Sequence, residues 1–599
     1  IQSRERAVDV LETRKSLVET EYEASRNFCQ DTSNNDWSSA ARFHKTLPHD
    51  DLGMVVPEAF DALVECLTEG SFDKCEAIPK GHPKACLKNP LGGLSVGLDG
   101  PASTSVGVPA APALNSIELA AYLAEVYWMS LTRDVPFSKY GEHKDTIAAA
   151  ANLAAMPGFG RMNGVSMGSD GTVDPFSQLF RGSLVGVETG PFISQVIPAS
   201  FLVHNFTIDS ILVNPKQETC EPGIDYMTDY KTWLHIQNGG DAEPEDLDGQ
   251  RRYIRNGRDL SRLVATDTIY TSNFPLPRHA LGLLASTIVN ITREFFRGAL
   301  ILMEQGAISR GGSNGPYASS HRQVGFVNFG VSHLMKTFAS LELSQKASWY
   351  QKWNVHLFAR PEAIGGTLHN VLHGLVDVDL HKSLTGNEEL LNRVVSHNAK
   401  QNKRRGKMNE PATYLLSQAS QRGSPGHPSY PAGHAVQSGA FATVLKAMPL
   451  SQTRHYSLDD TLFQRYSSTT ALLQAFVGLE RGVECFTNPV FPDDSGLELL
   501  DWDGSCLTYE GEINKLATNI AFGRQIMGVH YRFDSHEGLL LGQTIAIRRL
   551  QQELVTLPEE YSYEFRLFTG ETIMLEHDGR FRVDGKRCSG VAFTGVQDC

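Results

Sequence analysis

His427-Pro428-Ser429-Tyr430-Pro431-Ala432-Gly433-His434 sets two histidines seven residues apart around two prolines and a glycine. The largely apolar run Ala435–Ala447 follows directly. A Pro/Gly loop that opens into a helix aims unpaired backbone N–H groups and the positive end of the helix dipole at one point. A histidine there can exchange protons with an anion held at that point. Gly433 lacks a Cβ, so its N–H can approach a ligand closely, and His434 falls in the first helical turn. The chain as a whole carries a net charge of -14, so an anion site here needs cations gathered for the purpose.

On both sides of this loop the periodic signals are helical. Ile117–Leu131 places Leu119, Tyr122, Leu123, Val126, Tyr127 and Met129 on a broad apolar face. His279–Gln305 reads as one long helix or a broken pair, and Val331–Phe358, Gln437–Ala447, Asp459–Leu479 and Asp534–Leu554 follow the same pattern. Pro90–Asn115 and Arg310–Pro316 read as loop. The basic stretch Lys400–Lys407 reads as a solvated loop without function. In the tail, Tyr563–Leu567, Glu571–Leu575 and Arg580–Val583 alternate around Thr569-Gly570 and Asp578-Gly579, a hairpin signature. The expected fold is mainly α, with a small C-terminal β-hairpin region. The expected division is an N-terminal helical half (1–330), a half carrying the site (331–555) and a β appendage (556–599).

Composition narrows the class. At 599 residues, with 41% hydrophobic and 20% charged side chains, the chain has the make-up of a soluble globular protein with a large core. No run of 18 apolar residues occurs, which argues against a membrane span, and the net acidity argues against nucleic acid as the main partner. The chain starts at Ile1 and its first thirty residues are too charged for a signal peptide, which reads as a processed or trimmed form. Nine cysteines include three locally spaced sets, Cys66 with Cys75, Cys485 with Cys506, and Cys588 with Cys599. Loop-closing disulfides of a secreted, extracellular or cell-wall protein look like this. Buried thiols are the competing reading for Cys86 and Cys220, and Cys29 is the natural odd one out, free or bonded to another chain. The sequons Asn205-Phe206-Thr207 and Asn290-Ile291-Thr292 are compatible with export.

Two further patches carry the charge that the loop needs. Lys352, His356 and Arg360 recur every four residues in Trp349–Arg360, stepping along one side of a helix with a drift of about 40° per pair. Pro361 places Arg360 at or near that helix's end. Standing alone this is a solvated basic stripe, but its apolar neighbours Trp353, Val355, Leu357 and Phe358 suggest a buried helix, where unpaired cations call for an anion. The other patch is Arg524-Gln525-Ile526-Met527-Gly528-Val529-His530 followed by Asp534. Arg524 and His530 can face one site only if the helix ends between them, and Gly528 offers that stop. Asp534 then reads as the N-cap of the next helix or as the orienting partner of His530, and the two roles are compatible.

Taken together, Lys352-x7-Arg360-Pro361, Pro431-Ala432-Gly433-His434 and Arg524-x5-His530-x3-Asp534 resemble the three-part signature of vanadium-dependent haloperoxidases, which is related to that of the type-2 phosphatidate phosphatases. The wider likeness is to brown-algal bromoperoxidases. It runs through Phe43-His44-Lys45-Thr46-Leu47-Pro48-His49-Asp50-Asp51, Gly168-Ser169-Asp170-Gly171-Thr172-Val173-Asp174-Pro175, Phe358-Ala359-Arg360-Pro361-Glu362-Ala363 and Val490-Phe491-Pro492-Asp493-Asp494. The resemblance implies helical bundles (two four-helix-bundle-like cores), a homodimer or larger homo-oligomer, and vanadate, vanadium(V), bound through a ring nitrogen of His530. Lys352, Arg360, Arg524 and the Gly433 N–H would hold its oxygens, and His434 would act as acid–base. His427 leans the reading toward bromide or iodide, with hydrogen peroxide as oxidant and an organic halogen acceptor.

An acid phosphatase on the same scaffold, with His530 as nucleophile and His434 protonating the leaving group, is the alternative enzyme. A helical structural protein that merely binds sulfate or phosphate is the non-enzyme reading. Gly523, where the phosphatase relatives usually carry Ser, favours the peroxidase side. At Ala432 the family's loop commonly carries Ser or Thr, so this chain lacks a hydroxyl donor there.

Overall fold

The computed structural model describes residues 39–95, 100–196, 223–240, 316–317, 320–341, 343–407, 411–450, 489–492 and 499–588, with a few isolated positions besides. The expected helices His279–Gln305 and Asp459–Leu479, nearly all of the loop Arg310–Pro316, both sequons' asparagines, Cys29, Cys220, Cys485 and Cys599 lie outside the described residues.

The helices that build the frame are α1 (Pro57–Glu69), α2 (Ile117–Thr132), α3 (Lys144–Ala155), α4 (Val331–Ser340), α5 (Leu343–Tyr350), α6 (Pro361–Leu372), α7 (Glu388–Arg404), α8 (Gly433–Leu450), α9 (Tyr509–Ile526) and α10 (Arg532–Leu554). The fold is mainly α, as the periodicity predicts. Helix α2 is started by Ser116, whose side chain accepts the Leu119 N–H, and it is buried on nearly every side between α3, α7 and α9. Helices α8, α9 and α10 pack mutually, and α5 joins them against α8 and α10. The closest pair is α8 with α10. A Cβ on Gly439 would lie 2.2 Å from the Leu539 carbonyl oxygen, and one on Gly542 would lie 2.0 Å from that of Val436. Only glycine lets the two backbones meet there. The two helices run side by side from a shared starting point, where the Ala432 N–H donates to the Asp534 carbonyl at 2.9 Å.

Three expectations need correction. Val331–Phe358 is not one helix. It breaks at Leu341, resumes as α5, widens into a π-helical turn over Gln351–His356, and stops at Leu357, which is left-handed at φ 44°. The stop is tertiary: the Phe43 N–H donates to the Leu357 carbonyl, the Ala359 N–H donates to that of Ala41, and Arg42 bridges Phe358 in antiparallel fashion. Lys400–Lys407 is not a solvated loop. It continues the last turns of α7, where Arg404 and Lys407 bind the Gly223 carbonyl, Asp229 and Thr232, and Arg405 lies over the Tyr226 ring. Helix α10 begins two residues before Asp534, with Tyr531 at the N-cap.

The tail forms an antiparallel sheet of β1 (Tyr563–Arg566), β2 (Thr572–Leu575), β3 (Phe581–Val583) and β4 (Lys586–Cys588) in sequential order. The first three match the predicted hairpins, and the fourth was not foreseen. The sheet packs on α8, where Lys446 is wholly buried with its ammonium 4.3 Å from the centre of the Phe568 ring. Cys66 and Cys75 form a disulfide linking α1 to the helix after it, Cys506 is disulfide-bonded, and Cys86 is a free, exposed thiol rather than a buried one. Among the described residues no helix is long and apolar enough to cross a membrane.

Candidate active site

Three helices start at one place. Arg360 is the N-cap residue of α6, Gly433 is the first residue of α8, and His530 immediately precedes the N-cap of α10. Their positive ends converge, and α9 ends beside them, with Gly528 (φ 87°) turning the chain between Arg524 and His530. A Cβ on Gly528 would lie 2.7 Å from Gln418 Nε2, so the turn admits no larger residue without a shift.

Lys352 and Arg360 reach this point by a different route from the one their spacing suggests. Lys352 lies in the π-helical turn, and Arg360 lies beyond the left-handed Leu357, at the head of the next helix. They therefore do not form a helical stripe. His356, between them, turns away: its ring lies tilted against that of Tyr430 with centres 4.6 Å apart, and burial with the Arg42 charge pushes its pKa down to about 3. Lys352 is fully buried and donates to the carbonyls of Pro428 (2.9 Å) and Ser429 (2.6 Å). These bonds leave one of its three N–H groups. Arg360 donates through Nε to the His427 carbonyl (2.9 Å) and through Nη1 to that of Val529 (2.8 Å).

The tautomer of His530 follows from the groups around it. Arginine can only donate. Arg360 Nη1 sits 2.8 Å from His530 Nε2, so Nε2 accepts, and the His530 proton resides on Nδ1, which donates to Asp534 Oδ2 at 2.6 Å. Arg360 Nη2 lies 2.9 Å from His427 Nδ1 and 3.4 Å from its Nε2, and the Pro428 carbonyl oxygen lies 3.1 Å from Nδ1. Burial, then the charges of Arg360, Lys352 and Arg524, holds the His530 imidazole well below its ordinary pKa, so it is neutral. Burial likewise drives Lys352 well down, Arg360 to about 10 and Arg524 to about 9, with mutual repulsion adding to each shift on Lys352 and Arg524. Asp534 is raised to about 6 by burial, partly offset by the Ser429 hydroxyl and the cations.

Asp534 is not the N-cap of α10. It sits at the third helical position, accepts the Tyr531 N–H at 3.2 Å, and through the same oxygen receives His530 Nδ1 and the Ser429 hydroxyl. Ser429 was missed in the sequence, although it stands inside the opening motif. So was Trp349, whose ring lies 4.8 Å from that of His427 and whose edge approaches Gly433. The Phe43–Asp51 and Phe358–Ala363 motifs meet as a support: Lys45 donates to Glu362 at 2.5 Å and to the Arg422 and Ser424 carbonyls, which fixes the chain leading into His427. Behind the site Phe358, Tyr430, Tyr531 and Phe533 form an aromatic wall.

The balance of charge decides what the pocket suits. Lys352 and Arg360 are buried cations beside the buried Arg524, and among the described residues Asp534 is the carboxylate whose charge acts on both Lys352 and Arg360; Glu362 is engaged by Lys45. Such a set is costly unless an anion joins it. Among the described residues no group of three or more His, Cys, Asp and Glu side chains forms a cage for a bare metal ion. An oxyanion fits: cations for its oxygens, three helix starts aimed at it, and one neutral imidazole nitrogen.

No family model matches the chain. It is 50% identical over 600 residues to the vanadium-dependent bromoperoxidase of Ascophyllum nodosum, covering 99% of this chain and 97% of that protein. The chain belongs to the vanadium-dependent bromoperoxidases. A second member, from Corallina pilulifera, is 30% identical over 608 residues, covering 91% of this chain and 92% of the relative. The homohexameric structure of the second vanadate-dependent bromoperoxidase of Ascophyllum nodosum superposes with a TM-score of 0.80 at 36% identity, across 99% of this chain and 94% of that one. Within this bromoperoxidase scaffold, His427, Lys352, Arg360, Gly433, His434, Arg524, His530 and Asp534 come from three separate segments, and Ala432 lies buried among them.

Proposed function

We propose that this bromoperoxidase binds vanadate at the cation cluster and uses hydrogen peroxide to oxidise bromide, or iodide, to hypohalous acid or its equivalent, which then halogenates an organic acceptor. The observation that carries the reading is His530: neutral, its proton on Nδ1 and its Nε2 facing the Arg360 guanidinium, with the Lys352 and Arg524 charges acting on the ring. That is the form in which an imidazole ligates a metal, oriented by its carboxylate partner. Lys352, Arg360 and Arg524 would take the oxyanion's charge, with the Gly433 N–H as a further donor. Bound vanadate supplies a Lewis acid that activates peroxide toward halide without changing its own oxidation state. His434, in the first turn of α8, takes and returns the proton of the peroxide step at its imidazole. The family membership leaves the phosphatase reading unfavoured.

Vanadate-free protein should brominate a phenolic dye only after orthovanadate is added. Phosphatase turnover by the vanadate-free protein, with no bromination after loading, would overturn the proposal. His434→Ala should keep vanadate in equilibrium dialysis yet lose about 10²–10⁴-fold in turnover, the usual share of a general acid–base group.

The homohexameric relative supports a homo-oligomer for this chain as well. The Cys66–Cys75 disulfide supports a secreted or cell-wall location. Fractionation tests the location: activity confined to the cytosol would exclude it.

A further inference from the structure

We propose that loop 321–328 is a contact surface between copies of this chain. The inference rests on the reading of the chain as a homo-oligomer and assigns the contact to a place. The most exposed large hydrophobic side chains among the described residues are Phe326 at 75%, Val327 at 73%, Phe72 at 69% and Val324 at 63%. Single exposed apolar residues are ordinary; three within four residues of one loop mark an association surface.

The loop is built to present them. Asn328 donates to both carboxylate oxygens of Glu559, and the Tyr317 hydroxyl donates to the same group. Phe329 packs edge-on against Tyr561 at 4.9 Å, and its N–H donates to His333 Nδ1 at 3.0 Å. At the other end the Ser320 hydroxyl accepts the N–H groups of Arg322 and Gln323. Between these anchors the backbone doubles back on itself. A Cβ on Gly325 would lie 2.8 Å from the Phe329 carbonyl oxygen, and one on Gly330 would lie 2.4 Å from that of Phe326. Phe326 and Val327 are therefore turned outward by a fixed frame, and little ordering remains to be done on contact.

The partner that fits is a second copy. Chains of net charge -14 repel one another, so association needs an apolar contact, and here it is edged by Arg322, a cation suited to an acidic neighbour. Glu559 follows the far end of α10, and the 23 residues of that helix span about 34 Å from its His530 end at 1.5 Å per residue. Contact there leaves the vanadate pocket open.

The test is sedimentation of the full-length protein and of Phe326→Ser/Val327→Ser over a concentration series. Wild type should sediment as an oligomer, and the double variant should need at least about tenfold more protein to reach the same assembly, with bromination per chain retained. An oligomeric wild type with a variant that assembles identically overturns the surface while leaving the oligomer reading intact. A wild type that is monomeric throughout overturns both. Amide exchange of wild type guards against a misfolded variant: protection of 322–328 should fall on dilution, and concentration-independent exchange would overturn the assignment.

Discussion

At Asp534 a single carboxylate oxygen gathers the His530 imidazole, the Tyr531 N–H and the Ser429 hydroxyl. It fixes which nitrogen of His530 faces the pocket. Asp534→Ala should therefore weaken vanadate binding about 10–100-fold, the range found for outer partners of metal ligands. Orthovanadate titration of the vanadate-free variant, read by recovered bromination, checks this; an unchanged half-saturation point would sink it. Ala432 is buried at the same junction, with its N–H on the Asp534 carbonyl. Ala432→Ser restores a hydroxyl at the loop, and a bond to a charged oxygen is worth about 1.5–3 kcal/mol. Tighter vanadate binding or altered turnover is expected, and identical values in both assays would refute it. At this scale the sequence was informative because residue type declares chemistry: buried Lys, Arg and His near Pro and Gly stand out. Ser429 and Trp349 did not stand out, since serine and tryptophan serve so many structural ends.

Helix starts do most of the positioning. The apolar run after Gly433 announced α8, and Gly528 announced the end of α9, because capping and periodicity are local signals. The start of α6 at Arg360 was hidden. Periodicity carried straight across Leu341 and Leu357; at Leu357 pairing with residues 41–43 overrides it, and no local pattern records a partner more than 300 residues away. Helix α8 also carries a buried lysine at its far end. Burial lowers Lys446 from its ordinary value of 10.5 to about 7, against the favourable charge of Glu510. Between those values the unfolded chain holds the proton and the native chain does not. Stability is thus reduced by a few kcal/mol below pH 7 and recovers as pH rises from about 7 to 10. Lys446→Met should unfold at higher denaturant concentration than wild type at pH 7, and should lose that rise with pH. If the variant keeps the slope, Lys446 is not its source.

The main core cluster runs from Ala40 to Val583, so helical frame and C-terminal sheet share one apolar interior. The mainly helical class and the tail hairpins were legible beforehand; the assembly of the pocket was not, since it depends on how distant segments meet. Lys352 and Arg360, the 427–434 loop, and Arg524 to Asp534 span more than 180 positions of chain. In the unfolded molecule these groups are scattered, and no part of the pocket survives. Vanadate held at the proposed site would therefore bind the native state alone and shift the folding equilibrium by mass action: at a free concentration 100 times its dissociation constant, by about 2.7 kcal/mol. Melting temperature should climb with orthovanadate and drop when it is dialysed away, and a flat scan would argue against the pocket. The same dependence makes the cofactor a census: the amount of vanadate a preparation can take up counts the molecules that have folded.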